Sequence, residues 1–162
     1  MALGTDVVPP GLLALALFCC VLPDIDAVGL WFGVPYAHPF GHRGFTHSLP
    51  FSFVLAGAGS LFASQLGAQP WIAFGVLLIS AASHGLLDAL TNGGLGVALF
   101  SPFSHRRWFL PWRVIEVSPL SPLELLSWRG LHVLRSELRW VWMPCLVFGL
   151  VGGAVRSMLG RL

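Results

Sequence analysis

The chain reads as an all-α polytopic membrane bundle of about four membrane segments with an amphipathic interfacial helix. Composition makes the first argument: 56% of the residues are hydrophobic and 10% are charged, against roughly one quarter charged in soluble domains. Run length makes the second, because several apolar stretches approach the ~20 residues a helix needs to cross a bilayer. The third is punctuation, since Pro, Gly and charged residues gather between those stretches rather than inside them. With 162 residues there is room for one core, so residues 1–162 are expected to form a single membrane-embedded domain.

The amino-terminal apolar stretch, Gly11 to Leu22, is short for a span, and Pro9-Pro10 limits its extension. No Lys or Arg precedes it and no small-residue cleavage site follows, so it is expected to remain in the mature protein as a short, tilted or buried segment. Phe45 to Leu66 is the first run of full spanning length. Gly67-Ala68-Gln69-Pro70 then offers a tight link to a second run, Trp71 to about Leu90. A third extends from about Leu138 to Leu159, with Trp140 and Trp142 as interfacial anchors. Between Asn92 and Glu137, prolines, arginines and tryptophans accumulate, which marks a membrane-surface region. Within it, Pro122 to Arg139 sets leucines on one side and Glu124, Arg129, Arg135, Glu137 and Arg139 elsewhere. That pattern fits an interfacial amphipathic helix, and equally an ordinary solvated connector.

All nine basic residues are arginine. Arg106, Arg107, Arg113, Arg129, Arg135 and Arg139 fall in the stretch linking the second and third runs, which the positive-inside rule puts in the cytoplasm. Arg156 and Arg161 weigh the other way. There is no basic stripe with interleaved aromatics, so no direct nucleic-acid partner is expected. Cys19, Cys20 and Cys145 lie in apolar runs without Cys-x-x-Cys spacing and read as free thiols.

Three polar strings interrupt the oil: Leu-Pro-Asp-Ile-Asp at 22–26, His-Arg-Gly-Phe-Thr-His-Ser at 42–48 and Ser-His-Gly-Leu-Leu-Asp-Ala-Leu-Thr at 83–91. Under the orientation above they fall at the end of the first apolar segment, the start of the second and the end of the third, all at the cytoplasmic leaflet. Imidazoles and carboxylates are the ligands of hard to borderline metal ions, and placing them beside membrane-length runs is costly.

Each string has a plainer explanation when taken alone. His84 and Asp88 are four apart on a predicted helix, on one face with Ser80, Ser83 and Thr91, and a hydrogen bond between them would suffice. His42 and His47 need a bend between them, which Gly44 can supply, and an interfacial helix cap accounts for one of them but poorly for both. Thr46 and Ser48 are placed to orient the imidazoles. Pro23 is expected to end a helix and open an extended turn, so that Asp24 and Asp26 point the same way, either to solvent or to a cation. Jointly the strings favour a site for a divalent metal, zinc or manganese by ligand type, with Asp24, Asp26, His42, His47, His84 and Asp88 as ligands. Metal-assisted hydrolysis of an ester or phosphoester is the chemistry such a site supports, with Arg43, Arg106 or Arg107 steadying the developing negative charge. Lone His38 and His132 are assigned to structure or solvent.

Pro-Asp-Ile-Asp, His-Arg-Gly-Phe-Thr-His-Ser and Ser-His-x-x-x-Asp-x-x-Thr, followed by Ser-Pro-Phe-Ser-x-Arg-Arg at 101–107, resemble the bacterial inner-membrane metal-dependent hydrolase family, one member of which is described as binding the LexA repressor. The resemblance covers roughly residues 20–120 and implies a membrane-bound, metal-dependent hydrolase. The His84 to Asp88 step is also similar to a zinc-ligating step of zinc-dependent phospholipases C and single-strand nucleases. One departure stands out: family members commonly carry a Thr-His or Gly-His ahead of the Pro-Asp string, whereas here the first histidine is His38. Either the site is one ligand short, Asp6 stands in, or the true start lies upstream.

The leading expectation is a hydrolase whose substrate is a lipid or small-molecule ester or phosphoester, with the site facing the cytoplasm at the bacterial inner membrane. A membrane adaptor with a structural metal, binding a protein partner through 101–139, is the alternative. A metal or proton transporter ranks last, because the middles of the 45–66 and 138–159 runs carry no ionisable residues.

Overall fold

The computed structural model describes residues 8–159; Asp6 and Arg161 lie outside them. Helix α1 spans Pro10–Val21, with proline at its start, where a missing N–H costs nothing. It does not end at Pro23. A 3-10 stretch, Leu22–Asp26, and a short helix α2, Ala27–Trp31, carry on from it, so that Pro10–Trp31 makes one apolar helical run of 22 residues. Two expectations are corrected here: the first segment is long enough to span, and Asp24 and Asp26 sit on a tight helical turn rather than an extended one. Pro23 lies in the first turn of that stretch, where its fixed φ is compatible with helix.

Helix α3 covers Leu49–Ser60, shorter than the Phe45–Leu66 run. Ser48 sets its start by accepting a hydrogen bond from the Phe51 N–H at 3.1 Å, and Phe45–His47 form a separate 3-10 turn. At its far end, the N–H groups of Leu61, Phe62 and Ala63 turn to carbonyls three residues back, and the chain reverses at Gly67, φ +69°. Helix α4, Pro70–Ala89, coincides with the second expected run and crosses the middle of the bundle, against both α1 and α3. Its buried face is Ala73, Leu77, Ala81, Gly85 and Ala89, and it meets Ala16 of α1 and Ala56 of α3. Small residues let helix backbones approach closely where lipid supplies no hydrophobic drive.

Beyond α4 the chain folds back as an irregular strap. Leu110 N–H donates to the Ala89 carbonyl at 2.7 Å and Ile115 N–H to the Leu90 carbonyl at 3.2 Å, while Val97 and Trp108 exchange both backbone bonds. These pairings lay residues 108–117 over the end of α4. Next come α5, Pro122–Leu125, α6, Trp128–Glu137, a π-helical turn at Leu138–Trp142, and α7, Met143–Leu159. The single amphipathic helix expected over Pro122–Arg139 is therefore broken. Ser127 caps α6 by accepting from the Arg129 N–H at 3.2 Å, and the break lets Gly130 lie so close to the Leu125 carbonyl that no side chain would fit there. The third apolar helical run starts at Trp128, earlier than Leu138, and continues to Leu159. The fold is a helical membrane bundle with, among the described residues, three helical runs long and apolar enough to cross a bilayer, together with the shorter α3.

Candidate metal centre

Helices α1 and α4 end, and α3 begins, at the same end of the bundle, which brings the three polar strings together. Gly85 makes this possible: a Cβ there would clash with the His47 carbonyl oxygen, so only glycine lets the 45–47 turn lie on α4. The 42–48 segment reaches that position through a sharp bend whose left-handed residue is Arg43, φ +61°, rather than Gly44. Gly44 has another task, since a Cβ on it would clash with the Pro39 carbonyl. A non-glycine residue held at positive φ is a strained conformation that surrounding bonds must maintain.

Those bonds are dense. Arg43 is buried; its Nη2 donates to Asp88 Oδ1 at 2.9 Å, and its Nη1 to Thr91 Oγ1 at 2.8 Å and to the Gly93 carbonyl at 3.2 Å. From the other side, Arg107 donates to the carbonyls of His42 at 3.0 Å, Gly96 at 3.2 Å and Tyr36 at 2.9 Å, closing the 36–43 loop. Burial pulls the Arg107 guanidinium below its ordinary value, with partial relief from Tyr36 and Asp26. Arg106 instead lies over the Trp108 ring, 4.2 Å from its centre, on the exposed surface.

At the centre stands His47, whose side chain is 0% exposed. Its Nδ1 faces Asp26 Oδ2 at 3.0 Å. Its Nε2 is 3.4 Å from Asp24 Oδ1 and 3.3 Å from Asp88 Oδ2. His84 Nε2 approaches the same two oxygens, at 3.3 Å and 3.9 Å. Neither Nε2 has a hydrogen-bond partner although both are buried. Buried polar atoms are ordinarily paired, and an orphan calls for a physical reason. Four donors thus lie near one another, two imidazole nitrogens and two carboxylate oxygens, and those of His47, His84 and Asp88 are mutually close enough to share one ion. A tetrahedral ion with bonds of about 2.0–2.2 Å needs ligand-to-ligand edges of about 3.3–3.6 Å. Three of the four separations above fall in that range and the fourth, between His84 and Asp88, is longer; His47, His84 and Asp88 thus fit a divalent metal, with Asp24 Oδ1 beside both nitrogens.

Asp26 and His42 adjoin the cage. Asp26 is nearly buried, with Oδ1 2.7 Å from His42 Nδ1 and Oδ2 accepting from Thr46 Oγ1 at 2.6 Å as well as facing His47. Asp24, Asp26, His42 and His47 form a second group with donor atoms close enough to share an ion, and His47 is common to it and to the His47, His84 and Asp88 group. The rings of Tyr36, His42, His47 and His84 stand in a row, edge to face, with centres 5.3, 5.4 and 4.9 Å apart. Burial pushes the Tyr36 phenol up, although Arg43 and Arg107 work against it. His38 accepts a local bond from the Phe40 N–H. All three cysteines are free, as expected, but Cys145 is exposed.

All six residues taken as metal ligands from the sequence are in this assembly, together with Arg43; Arg107 lies behind it, and Arg106 has no part in its hydrogen bonds or ion pairs. Sequence reasoning missed Tyr36, Glu116 and Glu137. A cavity of about 240 Å³ opens beside the cage, lined by Arg43, His84, Asp88, Glu116, Glu137 and Trp142 among others. The cage's long edge, His84 to Asp88, borders it.

A helical membrane bundle with a buried histidine and aspartate cage at one end is the class of protein that this geometry defines. Comparison with known proteins makes that specific: residues 1–160 match the family of the YdjM inner membrane protein, and the chain belongs to that family. It is 42% identical over 150 residues to the inner membrane protein YbcI of Escherichia coli K12, an alignment covering 89% of this chain and 84% of that one. It is 34% identical over 136 residues to YdjM of the same organism, covering 80% of this chain and 64% of the relative. No solved structure matches it.

Proposed function

We propose that this protein is a membrane-bound metal-dependent hydrolase acting on an ester or phosphoester. The observation that carries the reading is the pair of buried Nε2 atoms on His47 and His84, which make no hydrogen bond yet each lie 3.3–3.4 Å from Asp24 Oδ1. A divalent ion held there, zinc or manganese by ligand type, would supply Lewis acidity that helps hydrolysis of an ester or phosphoester proceed near neutral pH.

The protein's own residues divide the work. Asp24, His47, His84 and Asp88 are the ligands. Asp26 takes the Nδ1 side of His47, which leaves Nε2 free for metal, and His42 with Thr46 holds Asp26 in turn. Arg43 ties down one oxygen of Asp88 and so directs the other inward. Its Nε is buried without an acceptor, and we assign this N–H to the anion that develops on the substrate. Arg107 positions the loop that carries His42 and Arg43. Asp24, with a side chain 53% exposed, and the long His84–Asp88 edge leave the cage accessible from the cavity. The arginines of 106–139 support a cytoplasmic site by the positive-inside rule.

A second reading has its own observation, because four protein donors are a full shell for a structural zinc. It would make the chain an adaptor, with 101–139 as its protein-binding region. Metal analysis of the purified protein, combined with a screen of phospholipid and phosphoester hydrolysis in detergent, tests both. Near-stoichiometric transition metal and turnover, each lost in His84→Ala, are expected. Tightly held metal without turnover would favour the adaptor, and no bound metal would sink both.

A further inference from the structure

We propose that the cavity beside the cage seats a membrane lipid whose head group carries an ammonium, an aminophospholipid of the phosphatidylethanolamine type. This rests on the hydrolase reading only for what happens at the cage; the argument for the occupant comes from the cavity wall.

One part of that wall is acidic. Glu137 is half-buried and Glu116 stands exposed at the mouth. Among the described residues neither has an ion-pair partner. Arg43, the cation in the same cavity, is already engaged by Asp88. A carboxylate brought partly out of water without a counter-charge, as Glu137 is, is unfavourable, and with Glu116 on the same wall the complement is a cation. Another part is apolar: Leu87 of α4, Ile115 of the strap, and Val141 and Trp142 of the π-turn. Val141 and Trp142 also line a second cavity, of about 320 Å³, with Cys145 and Leu146. An apolar track therefore leads from the cage along α7, a helix with no buried residue. A soluble phosphoamine would leave that track empty; a lipid fills it with an acyl chain while its ammonium meets Glu116 and Glu137 and its ester groups face His84, Asp88 and Arg43. An anionic lipid would bring a negative head group against two carboxylates.

The test uses the full chain in detergent and native mass spectrometry with three probes: dioleoyl phosphatidylethanolamine, dioleoyl phosphatidylglycerol and the chain-free head group glycerophosphoethanolamine. The ethanolamine lipid is expected to be retained about fivefold better than the glycerol lipid, the scale of one partly exposed ion pair. Combining Glu116→Gln with Glu137→Gln should remove that preference, and Trp142→Ala should weaken both lipids while preserving it. Equal retention of the two lipids, a preference for the anionic one, or a preference unchanged in the Gln variant overturns the proposal. So does binding of glycerophosphoethanolamine as tight as that of the lipid. Metal content read on the same samples separates the failures: metal without lipid preference sinks this inference alone, and preference without metal sinks the hydrolase reading alone.

Discussion

In the amino-terminal half, α4 is held between α1 and α3, Leu12 and Leu77 are fully enclosed, and the polar strings at the helix ends bury His42, Arg43, His47 and Ser48. From Met143 to Leu159, by contrast, no residue of α7 is buried at all. Both regions are oily, yet only the first spends its surface on itself. There, alanines and glycines bring backbones close enough for three chain segments to gather their imidazoles and carboxylates at one end of the bundle. The carboxy-terminal helix presents its apolar surface outward, and the end of α6 and the π-turn that lead into it lend the site one wall, through Glu137, Val141 and Trp142. The contrast separates the machinery that would hold a metal from the surface that would meet what is brought to it.

The sharpest way to break that separation is at His47, the residue common to both donor groups. His47→Ala removes one cage nitrogen and leaves Asp24, Asp26 and Asp88 facing one another without it. Metal affinity is expected to fall by more than the 10–100-fold that loss of an outer partner typically costs, with Asp26→Asn within that smaller range. Titration of metal-stripped protein with a competing chelator measures both. If the two variants lose affinity equally, Asp26 is a ligand rather than the group behind one.

Gly85→Ala probes the same half through packing alone. Its Cβ would press on the His47 carbonyl, a backbone atom that cannot swing away, so α4 and the 45–47 turn must part. Overpacking of this kind costs about 1–3 kcal/mol, and both thermal stability in detergent and metal affinity should decline together. Stability that falls while metal affinity holds would mean the turn relaxes without disturbing the cage.

These two expectations also show what could be read from residues in order. That the imidazoles and carboxylates at 24, 26, 42, 47, 84 and 88 gather at one place was legible, because such groups beside oily runs are expensive and rare. So was the second helical run, bounded by the Gly67 to Pro70 link. The division of labour was not: which oxygen of Asp26 or Asp88 faces which nitrogen depends on a bend with its left-handed residue at Arg43, where glycine at 44 looked the natural hinge. Pro23 misled because a proline that breaks the middle of an α-helix is at home in the first turn of a 3-10 stretch. Glu116 and Glu137 were hidden for a different reason. They come to the cavity only because residues 108–117 pair with the end of α4, a long-range register that local composition does not encode.

The smallest effect expected is on the other side of the comparison. Phe148 and Leu150 are 74% and 73% exposed on α7, and neither lines the cavity or its extension along Val141 to Leu146. Replacing both with Ala should leave metal affinity unchanged within about twofold, since surface substitutions away from caps and buried partners usually stay within ±0.5 kcal/mol. Ile25→Ala would not serve as well for this purpose, because Ile25 sits between two of the carboxylates despite its exposure. A clear loss of metal affinity from the α7 double variant would mean that this helix helps to hold the cage together. In that case the amino-terminal half is not self-sufficient, and Trp142 has to be counted among the supports of His84 rather than among the walls that face the lipid.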